Sequence, residues 1–247
     1  MTETALIVGA GSGLSAALAR LFAKEGMRIA LAARGTEKLE PLLRETGARA
    51  YRCDASRRAE VDALFAAVAA ELGAPDLVVY NASRRARGSI TEVDPDEALE
   101  ALMVSCYGGL LVAQAAARSM LARGHGTILL TGASASVKGY ARSIPFAMGK
   151  FGLRGLAQSL ARELAPQNIH VGHFVIDGGI GQPGDPRGEQ PVERAVRGRP
   201  VAEQVGQGDG ADSAYAARTA GSGHRGPNWL CHGSANTGTV GGLEAIA

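Results

Sequence analysis

Apolar positions along the chain switch repeatedly between two periods. Residues 5–8 are an uninterrupted apolar run, the pattern of a strand buried on both faces. Leu14, Ala17, Leu18, Leu21 and Phe22 then recur at helical spacing, and Gly26 supplies a stop. Residues 28–33, 48–53, 76–80, 126–131 and 169–176 read as further strands. The first of these rests on context, because alanine is a poor strand former. Residues 36–46, 57–72 and 94–123 read as helices, with Pro41 expected to break the first. Asp94-Pro95-Asp96-Glu97 opens the long one, and Gly108-Gly109 either weakens its middle or admits a close neighbour. This β-α-β-α order implies parallel strands with right-handed crossovers. The expected fold class is therefore α/β: a doubly wound parallel sheet with helices on both faces, in a single domain. A chain of 247 residues is long enough to bury such a core.

Between the first strand and helix lie Gly9, Gly11, Ser12, Gly13 and Leu14. Unpaired backbone N–H groups at a helix N-terminus attract an anion, and glycine lets a phosphate approach the backbone. An ordinary strand–helix turn is the plainer alternative. The spacing G-x-G-x-x-G fails, because Leu14 stands where its third glycine belongs. The spacing G-x-x-x-G-x-G fits Gly9 and Gly13, with Ser15 in place of the last glycine. Ser15 would bring a Cβ towards the bound phosphate or the helix–strand contact, so adjusted binding is expected. Further polar residues follow the strand ends, where ligands bind in such sheets. Arg34 follows the second strand, which ends without an acid. An arginine there suits a 2′-phosphate, so NADP(H) is favoured over NAD(H). Asp54 follows the third strand and could also cap the next helix. Asn81 and Ala82 follow the fourth, where an asparagine can bond neighbouring backbone.

These motifs together resemble the short-chain dehydrogenase/reductase family over residues 5–182. Tyr80-Asn81-Ala82-Ser83 is similar to the family's N-N-A-G with both outer residues changed. Phe146-Ala147-Met148-Gly149-Lys150 stands where Y-x-x-x-K is expected, and residues 151–158 continue a family-like helix. The resemblance implies that Lys150 holds the nicotinamide ribose, and that Asp54 contacts the adenine amino group. In that family a tyrosine exchanges the proton, its phenol lowered from about 10 by the lysine. Here that position is Phe146, as in an atypical branch. The assisting serine aligns with Ala133, with Ser134 one place later, and Ser105 stands near the asparagine that orders a relay water. Tyr140, Ser134 and Ser136 are the substitute donors. Gly178, in Asp177-Gly178-Gly179-Ile180, replaces part of the family's P-G-x-I, and Gln182 stands where a threonine caps the nicotinamide amide. The resemblance implies a Rossmann-type oxidoreductase acting on a small carbonyl or alcohol. A catalytically impaired dinucleotide-binding sensor or scaffold is the alternative. A purely structural protein would need no such set as Gly9, Gly13, Asp54, Asn81 and Lys150.

A net charge of +2 gives no strong field for nucleic acid. The run Arg84-Arg85-Ala86-Arg87 reads first as a solvated loop, and second as a neighbour of substrate or cofactor. Cys53, Cys106 and Cys231 are odd in number and irregularly spaced, which suggests free thiols. His170 and His173 lack metal-ligand spacing, so no metal site is expected. The N-terminus has no basic n-region, and no apolar run approaches the ~20 residues that span a bilayer. A cytoplasmic protein without membrane contact is expected.

Beyond residue 182 the pattern fades. Glycine rises to about a fifth of the residues, and large aliphatics become sparse. Residues 193–204 offer one helix and 228–231 one strand, with no clear seventh-strand pattern. The expectation is a glycine-rich region, 183–247, that leaves strand six as an open edge and weakens any homo-oligomer. Loss of motif and period at one point suggests a shifted reading frame. A natural flexible tail is the rival explanation.

Overall fold

The computed structural model describes residues 2–177 and 243–246. Six parallel strands form the sheet: β1 Thr4–Val8, β2 Arg28–Ala33, β3 Arg49–Arg52, β4 Leu77–Tyr80, β5 Gly126–Thr131 and β6 Ile169–Ile176. Their order is β3-β2-β1-β4-β5-β6, so the chain reverses direction across the sheet between β1 and β4. The helices are α1 Leu14–Lys24, α2 Glu40–Thr46, α3 Arg58–Leu72, α4 Pro95–Leu102, α5 Gly108–Arg123 and α6 Ile144–Leu164. One core joins Leu6, Val8, Val78, Tyr80, Ile128 and Leu130 to α3, α5 and α6. The other joins Ala5, Ile7, Ile29, Leu31 and Val79 to α1 and α2. The sheet is therefore wound on both faces, and each central strand is apolar throughout because neither face meets water.

Three local expectations change. Pro41 does not break a helix. A short 3₁₀ turn, Glu37–Leu39, precedes it, and Pro41 falls in the first turn of α2, where its missing N–H costs nothing. The stretch 94–123 is not one regular helix. A π turn, Met103–Tyr107, separates α4 from α5, and the buried Tyr80 hydroxyl donates to the Val104 carbonyl there. Gly108 and Gly109 serve close packing: a Cβ on either would lie 2.5 Å from the Tyr80 hydroxyl or the Leu153 side chain. Pro95–Arg123 contains an 18-residue window with a mean hydropathy of 1.4, enough by length and composition alone to cross a bilayer. It packs instead on α3, α6 and the sheet.

The third change is at the sheet edge. A short strand, β7 Leu243–Ile246, pairs antiparallel with β6, setting His173 opposite Ile246 and Ile176 opposite Leu243. The last four residues of strand six are thus paired, where an open edge was expected. Gly178, Gln182, Cys231, and the helix and strand expected at 193–204 and 228–231 lie outside the described residues.

The chain reversal brings the ends of β1 and β4 together. Gly9 has a φ of +88°, and a Cβ there would lie within 2.5 Å of the Ala82 Cα. Only glycine meets both conditions. Gly9→Ala should therefore cost about 2–5 kcal/mol, the sum of left-handed backbone strain and overpacking. Chemical denaturation of the two proteins measures it, and a loss below ~1 kcal/mol would show that the seam can relax.

Candidate active site

The turn after β1 is closed by its own backbone. The N–H groups of Gly9 and Ala10 both donate to the Ala32 carbonyl at 2.9 Å. Gly13 caps α1 without a side-chain hydrogen bond, and no acid occupies the first helical turn. The Ala16 and Ala17 N–H groups donate to the Gly13 carbonyl, and those of Leu14 and Ser15 at the helix start are the ones that could meet an anion. Gly11, Gly13 and Leu14 are half-buried around this turn, and Ser12 is exposed.

Ser15 takes the second of its two expected places, the helix–strand contact. It is buried, its hydroxyl donates to the Gly9 carbonyl at 3.1 Å, and it accepts from Asn81 Nδ2 at 2.7 Å. Asn81 also bonds back to β1, its backbone N–H donating to the Val8 carbonyl at 2.8 Å. The serine therefore faces the β1–β4 seam and does not project towards the anion position. Sequence reasoning placed Asn81 as a local strand-end residue. The partner that gives it this role is 66 residues away.

At the carboxyl ends of β2 and β3 lies an open cleft of about 210 Å³, lined by Arg34, Arg52, Asp54, Arg57 and Glu60. Asp54 Oδ1 accepts from the Ser56 backbone N–H and hydroxyl at 3.0 and 2.7 Å. Glu60 reaches back to accept from the Asp54 N–H at 2.8 Å. Asp54 is thus a turn-forming residue ahead of α3, whose N-cap is Arg57. Partial burial works to raise its carboxyl pKa. The Ser56 bonds and the Arg34 and Arg57 charges outweigh that and hold it below the ordinary range. Arg57 lies 3.7 Å from both Asp54 and Glu60. Among the described residues neither Arg34 nor Arg52 has a carboxylate within ion-pair distance. Arg52, Arg57 and Glu60 were not legible as site residues, because surface charges on a strand end and a helix start are common.

The third group gathers at the N-terminus of α6. Phe146 and Lys150 share one face of that helix, and both are buried. The Lys150 ammonium donates to the Thr131 carbonyl at the end of β5, at 2.6 Å. Burial, helped by the Arg85 charge, pushes its pKa down to about 8. Lys150 Nζ lies 5.9 Å from the centroid of the Phe146 ring. The Arg85 guanidinium lies over the same ring, 4.3 Å from its centroid. The basic run is therefore not a uniformly solvated loop: Ala86 is buried, Arg84 is bonded to Glu100 at 2.6 Å, and Arg85 stacks on Phe146.

The hydroxyls considered as substitute donors separate. Ser136 is buried, accepts from the Ala133 N–H at 3.1 Å and lies 3.5 Å from His173 Nε2, so it is spent on the scaffold. Burial, with the Lys150 and Arg154 charges, pushes His173 down to about 4 and keeps it neutral. Ser134 begins the turn before α6 and is half-buried. Tyr140 is exposed, its ring 5.3 Å from Lys138 Nζ, and none of its contacts ties it to Phe146 or Lys150. Ser105 is fully buried in the π turn, where its hydroxyl donates to the Arg84 carbonyl and accepts from the Arg84 N–H. It fastens the loop after β4, and its one proton is already committed.

These features meet known proteins at one point. Residues 3–180 match the short chain dehydrogenase family. A short-chain dehydrogenase from Rhodopseudomonas palustris superposes with a TM-score of 0.68 at 35% identity, covering 75% of this chain and 86% of that one. A metagenomic short-chain oxidoreductase in complex with NADP gives 0.67 at 29% identity, over 72% of this chain and 83% of that one. An NAD+-bound xylitol dehydrogenase gives 0.69 at 30% identity, over 72% of each chain. The doubly wound sheet, the glycine turn at its reversal point and the buried lysine of the sixth helix agree with that match: the chain belongs to the short-chain dehydrogenase/reductase family.

Proposed function

We propose that this chain binds NADP(H) in preference to NAD(H) and is an oxidoreductase for a small carbonyl or alcohol, working without a proton donor at the family's tyrosine position. The observation that carries the cofactor reading is the cleft at the ends of β2 and β3, which Arg34 and Arg52 line together with Asp54 and Glu60, and where neither arginine has a carboxylate within ion-pair distance among the described residues. A 2′-phosphate supplies the missing anion, and a guanidinium fork matches its oxygens. The rest of the chain fits the same ligand. The uncapped N-terminus of α1 suits a pyrophosphate, and Lys150 offers its remaining N–H donors to a ribose. NADP and NAD, each bound by one of the solved relatives, both satisfy that part, so the arginines carry the choice. When bound, the nicotinamide supplies or accepts a hydride.

The protein's own part in the reaction is then to hold the reactants and supply a proton. Phe146 has no proton to give, and Ser105 and Ser136 are engaged elsewhere. Ser134 and exposed Tyr140 are the hydroxyls left on the loop before α6, able to act directly or through water. Exposed Leu110, Leu121, Met148 and Phe151 on α5 and α6 support association of the chain with a second copy.

Two measurements test this reading. NADPH should bind more tightly than NADH, and Arg34→Ala should remove about 1.5–3 kcal/mol of that difference, as expected for one charge-assisted contact. Calorimetric titration of both cofactors decides it, and equal dissociation constants in the parent protein would sink the preference. Carbonyl reduction by the parent should be slow. Phe146→Tyr places a phenol beside Lys150 and Arg85, two cations that lower its pKa, so turnover should rise by roughly 10²–10⁴. Steady-state assays of both proteins check this. Brisk parental turnover that Phe146→Tyr leaves unchanged would mean that another group already donates the proton.

A further inference from the structure

We propose that Arg85 is the recognition residue for a carboxylate on the substrate, so that this site selects carbonyl compounds that carry one. The reaction part of this statement rests on the oxidoreductase reading above; the carboxylate binding stands without it.

The argument begins with how the guanidinium is used. Arg85 lies over the Phe146 ring at 4.3 Å, so one of its faces is spent on an aromatic surface. Its N–H donors lie in the plane of the group and point away from that contact. They form the planar fork that matches a carboxylate through two parallel hydrogen bonds. Among the described residues no carboxylate takes that place. The neighbouring Arg84 shows the contrast, since its guanidinium is bonded to Glu100 at 2.6 Å.

The fork is also held in position. Ser105 grips the Arg84 backbone from both sides, at 3.1 and 3.2 Å, and Ala86 on the other flank is buried. Arg85 therefore projects from a stretch fixed at both ends, yet it is itself exposed and reachable. Such a residue loses little freedom on binding, which is where recognition gains most.

Three positive features converge on this position. Arg85 and Lys150 both lie within 6 Å of the centre of one phenyl ring. Phe146 lies in the first turn of α6, a 21-residue helix with no acid in that turn and no side-chain cap. The ring between the cations is neutral. A tyrosine there could ionise and neutralise them, whereas phenylalanine leaves their charge for a ligand. A single exposed fork fits a planar carboxylate through two parallel hydrogen bonds, and Lys150, buried and bonded to the Thr131 carbonyl, adds its charge without direct contact.

The test is calorimetric titration of the full chain with phenylglyoxylate and with its methyl ester, each with and without NADPH. The carboxylate should bind about 10–100-fold more tightly than the ester, the range of a charge-assisted contact. Arg85→Gln should abolish that ratio while leaving NADPH binding and the circular dichroism spectrum unchanged. Arg84→Gln should keep it. Equal affinity for acid and ester, failure of both to bind, or a ratio that survives Arg85→Gln would each overturn the proposal. Inorganic phosphate that displaces phenylglyoxylate with equal affinity would overturn it too, by showing a general anion site. If the parent chain fails to bind NADPH, the cofactor reading falls, and the ratio in cofactor-free protein still decides the role of Arg85.

Discussion

Gly9 and Ala82 are in such close contact that no side chain fits between them, and the candidate site is built outward from that approach. It fixes how the turn after β1 meets the loop after β4. Ser15 and Asn81 hold the same seam through part-buried hydrogen bonds at 3.1 and 2.7 Å. Bonds of this kind contribute about 1 kcal/mol each, but leaving one buried partner unpaired costs more than the bond contributes. The seam therefore tolerates exchange of neither residue alone. It sets the direction of α1, whose N-terminus has no side-chain cap. It also sets the path of residues 82–86, which carry Arg85 to Phe146.

The lysine of the site is governed by a second constraint. Burying an ammonium is costly, and a single carbonyl bond to Thr131 only partly offsets it. The pKa near 8 expresses that imbalance. Arg85 adds to the imbalance, since it is a like charge near the same ring. Two cations held together raise the local energy, and a nearby negative charge would relieve it. Together with Arg34 and Arg52, these cations lie at the carboxyl ends of β2 to β5, where such sheets bind ligands.

What was legible in the sequence follows from the range of the interactions involved. Most of the parallel strands could be read because they are local apolar runs, β2 and the charged-ended β3 from their place in the β-α order, and the glycine turn because its chemistry is contained within six residues. Pro41 was misjudged because a helix start and a helix break share the same residue, and only the preceding 3₁₀ turn distinguishes them. The π turn is set by Tyr80, more than 20 residues upstream, so local periodicity carries no trace of it. The four-residue β7 has too few positions to show a period, and its partner lies some 70 residues earlier. Lys150 and Phe146 were found through their spacing on one helix. Arg85 was set aside with the basic run because only the fold separates it from Arg84.

That separation bears on how the missing tyrosine should be understood. If Phe146 were a simple loss, its surroundings would still be arranged for a phenol, with the buried serine hydroxyls turned towards it. Instead Ser136 is turned to His173, Ser105 is turned to Arg84, and the ring face is covered by a guanidinium. A phenol depends on an oxygen at the ring edge, whereas a cation depends on the ring face, and here the face is used. The phenylalanine is thus integrated with its neighbours as a platform for Arg85. The substitution at the tyrosine position and the arginine after β4 are parts of one packed arrangement.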